Sequence, residues 1–150
     1  MSLSAEHRAK LRELGEDHER RIHALQSVIR AAQQELAVHE VLLGLVHNEA
    51  LIAALGELHV DSDHRAKAAR DPVRYCAEHG ISLPPEVTVH PVQGSGPSML
   101  LSASVRVGDC EIEVVWDREA GFNARPLRGY RRDLARIVNS MIDLPPNSSR

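Results

Sequence analysis

The chain has 150 residues, 43% of them apolar and 26% charged, with 18 Lys and Arg against 21 Asp and Glu. That is the length of one domain, or of one domain carrying an extended helix, and with only Trp116, Tyr75, Tyr130 and Phe122 as aromatics its core must be aliphatic. The longest uncharged stretch is too short and too polar for a membrane span of about 20 residues. The start, Met1-Ser2-Leu3-Ser4-Ala5-Glu6, lacks the basic and apolar regions of a secretory signal, and Cys76 and Cys110 alone cannot form a disulfide framework. The expected setting is a reducing cytosol.

The first predicted element is a long helix. From Leu11 the apolar residues recur at intervals of three and four, without a break between Ile22 and Ala53. With Ile22 as a heptad a position, the a set is Ile22, Ile29, Leu36, Leu43 and Ala50, and the d set is Leu25, Ala32, His39, Val46 and Ala53. A repeat this long predicts a coiled coil or a long bundle helix. Ser4 is the candidate N-cap, with Glu6 well placed for the helix dipole. Gly15, Gly44 and Gly56 are its weak points, each costing about 1 kcal/mol relative to Ala. His47-Asn48 is a candidate hinge, with Asn48 capping a second helix over 49–55; the alternative is a helix that runs straight through. Residues 40–46 are apolar beyond a narrow seam and should be buried on more than one side. Such a helix either folds back as a hairpin or pairs with a copy of itself. Self-association is the expectation, as a homodimer through residues 11–53, with Ile22, Leu25, Ile29, Leu36, His39, Leu43 and Val46 in the contact.

His59-Val60-Asp61-Ser62 breaks the pattern, with Ser62 predicted to cap a helix over 63–70. Asp71-Pro72 then restarts a helix with Asp as N-cap and Pro at the first helical position. It should run from Pro72 to His79 and end at Gly80 as the C′ residue. Pro84-Pro85 forbids helix, and Val87-Thr88-Val89-His90 alternates as a strand that Pro91 marks as short or at an edge.

The order of these signals resembles a known family. Arg70-Asp71-Pro72, Ala77-Glu78-His79-Gly80-Ile81, Leu83-Pro84-Pro85-Glu86-Val87-Thr88-Val89 and Val92 resemble the nitrile-hydratase-like leader peptides on precursors of ribosomally made, modified peptides. They also resemble part of the nitrile hydratase α chain. The match covers residues 58–92, and the hydratase's cluster of three cysteines is absent, so hydratase activity is not implied. The chain also departs from the leader family in lacking a modifiable core peptide after the module. The resemblance implies a recognition module read by a modifying enzyme, with Asp71, Pro72, Tyr75, Gly80, Ile81, Leu83, Val87 and Val89 as its partner-binding residues.

Gly94-Ser95-Gly96 reads as a turn-like linker. Gly108-Asp109 is a two-residue hairpin turn of the type that takes Gly first. It pairs Val107 with Cys110, Val105 with Ile112, Ala103 with Val114 and Leu101 with Trp116 on an apolar face. Arg106 opposes Glu111 and Ser104 opposes Glu113 on the polar one. Val87–Val92 could add a third strand. Cys110 then points inward, and neither thiol sits at an electropositive helix start, so neither reads as a nucleophile. Residues 117–123 read as a loop. Leu127, Tyr130, Leu134, Ile137 and Met141 predict a helix over 129–142 as the natural cover for the hairpin. Pro145-Pro146 ends it, before a frayed tail over 147–150.

Charge is uneven: residues 1–60 net −3, residues 61–117 net −4 and residues 118–150 net +4. The last segment's basic residues are all arginine: Arg118, Arg125, Arg128, Arg131, Arg132, Arg136 and Arg150. Such a cluster can take phosphate or an acidic protein surface, but the overall net charge of −3 argues for a helix docked on the protein's own acidic middle or left solvated. Nine histidines (His7, His18, His23, His39, His47, His59, His64, His79 and His90) show no metal-ligand spacing. His18 and His39, both at d positions, read as register-setting polar residues. No phosphate loop, nucleophile elbow, metal motif or spaced carboxylate pair appears, and no metal or cofactor is expected.

These features predict an α+β chain. It has a long N-terminal helical arm over 1–57, as coiled coil or helical hairpin, then a small α+β domain over 58–150. That domain holds short helices, the leader-like module at 58–92 and a β-hairpin or small antiparallel sheet covered by a C-terminal helix. The expected function is a non-enzymatic, homo-oligomeric interaction protein, working with itself and with a modifying enzyme or other protein, without nucleic acid or membrane. The alternatives are a histidine-bearing metal-binding or catalytic partner subunit, and a nucleic-acid binder using the arginines.

Overall fold

The computed structural model describes residues 2–91 and 99–142. The chain is α+β: five helices and a four-stranded antiparallel sheet. Val92, the Gly94-Ser95-Gly96 linker, Pro145-Pro146 and the 147–150 tail lie outside the described residues.

Helix α1 spans Ala5–Val46, 42 residues. The Ser4 hydroxyl accepts from the His7 N–H at 3.2 Å and closes the first turn, as the capping preference requires. Helix α2, Glu49–Val60, leaves α1 at a bend of 61°. The bend falls at the candidate hinge, His47-Asn48, and rules out the straight helix. Asn48 Oδ1 accepts from the Leu51 N–H at 3.0 Å, and its Nδ2 donates to the Ser82 carbonyl at 3.2 Å. The hinge is therefore tied to the loop after α4 as well as capped. Helix α2 extends to Val60, past the expected end at Leu55, and Leu58, fully buried, is the reason.

Helix α3 is Ser62–Arg70, and its cap is Asp61, one residue before the expected Ser62. A carboxylate at that position reaches two N–H groups, those of Asp63 at 2.8 Å and His64 at 3.4 Å. Arg65 adds hydrogen bonds to the Leu58 and His59 carbonyls, locking the α2–α3 corner. Helix α4, Pro72–Glu78, starts on Asp71 and Pro72 as expected. It closes at Gly80, whose φ of +67° is the left-handed conformation that glycine adopts without Cβ strain.

The sheet runs β1 (Val87–His90), β2 (Met99–Val107), β3 (Cys110–Asp117) and β4 (Gly121–Arg128), each paired with the next. The β2–β3 register matches every pair read from the sequence: Val107 with Cys110, Arg106 with Glu111, Val105 with Ile112, Ser104 with Glu113, Ala103 with Val114 and Leu101 with Trp116. Strand β1 joins the free edge of β2, with Val89 level with Ala103. Strand β4 corrects the reading of 117–123 as a loop. The Asp117 carboxylate accepts from the N–H groups of Glu119 and Ala120, which makes the turn tight enough for the chain to return as a strand. All of β4 is exposed, so it lacks the buried alternation by which strands are recognised. It is an edge strand carrying Pro126 and a register shift beside it, the irregularities that edges tolerate.

One core gathers Val38, Leu42 and Leu45 of α1, Leu51, Ala54 and Leu58 of α2, Ala68, Tyr75, Cys76 and Ile81 with the inward side chains of β1, β2 and β3. It takes residues from both sides of residue 57. The second half of α1 lies across β2 and β3, with α2 and α3 packed beside it on β2. Helix α5 begins at Arg132, three residues later than the spacing suggests, and ends at Ile142. It buries Leu134 and leaves Ile137, Val138 and Met141 exposed. The main cover of the sheet is therefore α1.

Candidate functional site

Three surfaces bring candidate functional residues together, and α1 holds the longest. A helix turns 100° per residue, so the buried set Val38, Leu42 and Leu45 lies on a different face from the a and d stripe. Ile22, Leu25, Ile29, Leu36, Leu43 and Val46 are each about half exposed, between 48% and 58%. Leu11 and Leu14 continue this open stripe toward the N-terminus. His39, also on it, is exposed and lies edge-on to Tyr130, with Nε2 3.4 Å from the Tyr130 hydroxyl. The expectation that residues 40–46 are buried on more than one side is half met within one chain. Leu42 and Leu45 face the sheet, while Leu43 and Val46 face out. From residue 2 to residue 27 every side chain is exposed.

The second surface lies between α4 and β1. Val73, Cys76, Ala77, Ile81, Leu83, Val87, Thr88 and Val89 line an apolar groove of about 370 Å³. It contains four of the eight residues that the leader resemblance nominates: Ile81, Leu83, Val87 and Val89. The other four sit elsewhere. Asp71 caps α4 by accepting from the Arg74 N–H, Pro72 is buried, and Gly80 closes the helix. Tyr75 stacks on His79 at a centroid distance of 4.0 Å, on another side of α4. Exposed Val73 was missed; it lies one residue past the Asp-Pro start and faces the groove from the first turn of α4. Beside the groove, Lys67, Arg70, Arg74, Asp71, Glu78 and Tyr75 line a polar cleft of about 460 Å³.

The third cluster joins the end of α2 to α3. Glu57, Asp61 and His64 hold one donor atom each within 4.8 Å of one another. The Tyr75 hydroxyl lies 3.1 Å from His64 Nδ1, leaving Nε2 on the side of the Asp61 carboxylate at 3.9 Å. Asp61 sits below the usual carboxylate range, chiefly because the Asp63 N–H bonds to it. Two carboxylates and an imidazole are a donor set for a divalent cation, and a hydrogen-bonded second ring nitrogen is how ligating histidines are oriented. Spacing alone did not show it, because the three residues span the α2–α3 corner.

The arginine cluster is divided. Arg125 pairs with Glu113 at 2.8 Å, Arg128 with Glu111 at 3.4 Å and Arg131 with Asp133 at 2.7 Å. Arg118, Arg132 and Arg136 are on the turn after β3 and on α5. Both cysteines are buried and unpaired. Burial pushes the Cys76 thiol up, and burial with the Glu35 carboxylate pushes the Cys110 thiol up, the opposite of what a nucleophile needs. Among the described residues no single helix is long and apolar enough to cross a membrane. No family model, curated protein or solved structure matches the chain.

Proposed function

We propose that the chain is a non-enzymatic interaction protein that assembles with a second copy through the α1 stripe and offers the α4–β1 groove to a partner protein. The stripe carries this reading. Eight large apolar residues, Leu11, Leu14, Ile22, Leu25, Ile29, Leu36, Leu43 and Val46, stay about half exposed along one helix. Helices in proteins draw most of their stability from packing an amphipathic face, and burying the exposed half of such side chains is worth about 1 kcal/mol each. Light scattering on the full chain, beside a chain lacking residues 1–27, tests it. The expected result is a dimer that becomes a folded monomer on truncation; a monomeric full chain overturns the reading.

The groove supports the second half of the proposal. It coincides with part of the leader-like segment, and β1 lies at an edge of the sheet, the place where an extended segment can add as a further strand. An extended apolar peptide segment of a modifying enzyme fits this chemistry.

A second reading, a metal-binding partner subunit, is favoured by the Glu57, Asp61 and His64 cluster. Zinc titration of the full chain and of the His64→Ala variant tests it. A heat of binding lost in the variant supports the reading, and no heat in either chain removes it.

A further inference from the structure

How two α1 arms run against each other is decided by the residues flanking the stripe, and this inference rests on the self-association reading above. We infer that two copies pair their α1 helices antiparallel about a twofold axis at Ser27, so that stripe residues whose numbers sum to 54 lie level.

Charge points this way first. With Ile22 at a, Arg12 and Glu40 occupy e positions and Arg21 and Glu35 occupy g positions. Side chains at e and g flank the seam and set partner orientation. In the antiparallel register Arg21 faces Glu35 of the second copy and Arg12 faces Glu40 of the second copy. The twofold repeats both, giving four opposite-charge contacts. Among the described residues, none of these four side chains is in an ion pair within its own chain. A parallel, in-register pair would instead set Glu35 against Glu40 of the second copy, like against like.

Volume points the same way. The antiparallel register opposes small with large at Gly15 to His39 and Ala32 to Ile22, and sets Leu11 to Leu43 and Leu25 to Ile29 as fully apolar layers. The parallel pair opposes Gly15 to Gly15 and Ala32 to Ala32, leaving gaps, and His18 to His18 and His39 to His39, crowding polar rings. His39 carries Tyr130 edge-on at a centroid distance of 6.2 Å, and Gly15 of the second copy is the one stripe residue that adds no side chain there.

Length is the third argument. Every residue from 2 to 27 is exposed, and Val28 is the first side chain of α1 to be partly covered. An axis at Ser27 lays the unsupported half of each arm along the supported half of the other. The sheet lies toward the g side of the stripe, where Leu42 is buried and Glu35 partly covered, and it leaves Leu36, Leu43 and Val46 open.

Cross-linking of full-length chains tests the register. Leu11→Cys and Leu43→Cys chains are made separately, then oxidised alone and mixed under native conditions, where Cys76 and Cys110 are buried. Antiparallel arms place like positions about 50 Å apart and unlike positions in contact, so only the mixture should form a disulfide-linked dimer. A cross-link in the Leu11→Cys chain alone, or none in the mixture while light scattering reports a dimer, overturns the register and leaves self-association standing. A monomer by light scattering overturns both. A charge exchange reads the same contact without sulfur. Arg21→Glu should weaken the dimer about tenfold, and adding Glu35→Arg to the same chain should restore it. If Glu35→Arg alone tightens the dimer, the arms are parallel.

Discussion

Single polar side chains hold the corners of this molecule. Asn48 does two jobs, since it caps α2 and donates to the Ser82 carbonyl. Asn48→Ala is expected to lower stability by about 1–2 kcal/mol and the melting temperature by about 2–8 °C, measurable by calorimetry. The thiols and phenols set an alkaline limit. Burial raises Cys76 and Cys110 above their ordinary value of 9.0, and burial raises Tyr75 and Tyr130 above 10.0. Folding therefore favours the protonated forms. Their contribution is full below the unfolded values and is lost as pH rises toward the folded ones. The urea midpoint should hold to about pH 9, then fall, and fall more steeply above pH 10. A Cys76→Val chain should show a shallower decline between pH 9 and 10, and an unchanged slope would mean that this thiol does not contribute. Gly129 has a φ of +80°, and a Cβ there would run into the backbone of Asp109. It lets the chain cross the hairpin tip between β4 and α5.

At the scale of elements, the strength of the fold lies in β2 and β3 and in the helices laid over them. Leu58 is fully buried where α2 meets the core, and Leu58→Ala is expected to cost about 2–5 kcal/mol in urea denaturation. Strand β4 and the first half of α1 bury nothing comparable. Amide exchange should therefore be slowest in β2 and β3 and fast in β4. Exchange over residues 5–27 should depend on protein concentration, fast in dilute solution and slowed where α1 is paired. Concentration-independent exchange there would count against pairing of the arm.

For the whole molecule, the division of labour falls inside α1. Residues 28–46 cover the sheet, and residues 5–27 extend from it. A chain starting at residue 28 should keep the far-ultraviolet signature of the sheet and short helices and melt cooperatively, because none of the described residues 2–27 is in the core. Loss of cooperative melting in that chain would show that the arm supports the body.

The local features could be read directly from the residues because their causes are local. Ser4, Asn48, Asp71-Pro72 and Gly80 close hydrogen bonds within a few residues of themselves. Alternation around Gly108-Asp109 determines the hairpin register, since a slip of one residue would turn every apolar side chain outward. The apolar stripe of α1 was also visible by its period. What periodicity does not contain is which of two apolar faces meets the chain's own sheet. Tertiary packing decided that Val38, Leu42 and Leu45 go inward and that Leu36, Leu43 and Val46 stay out. It gave β4 its strand form through pairing with β3, although its own side chains carry no such pattern. It also split the leader-like residues between a groove and the scaffold behind it, and assembled Glu57, Asp61 and His64 across a helix corner. Each of these depends on contacts between segments far apart in the chain, whose free energy is set by the surfaces they bury together rather than by either segment alone.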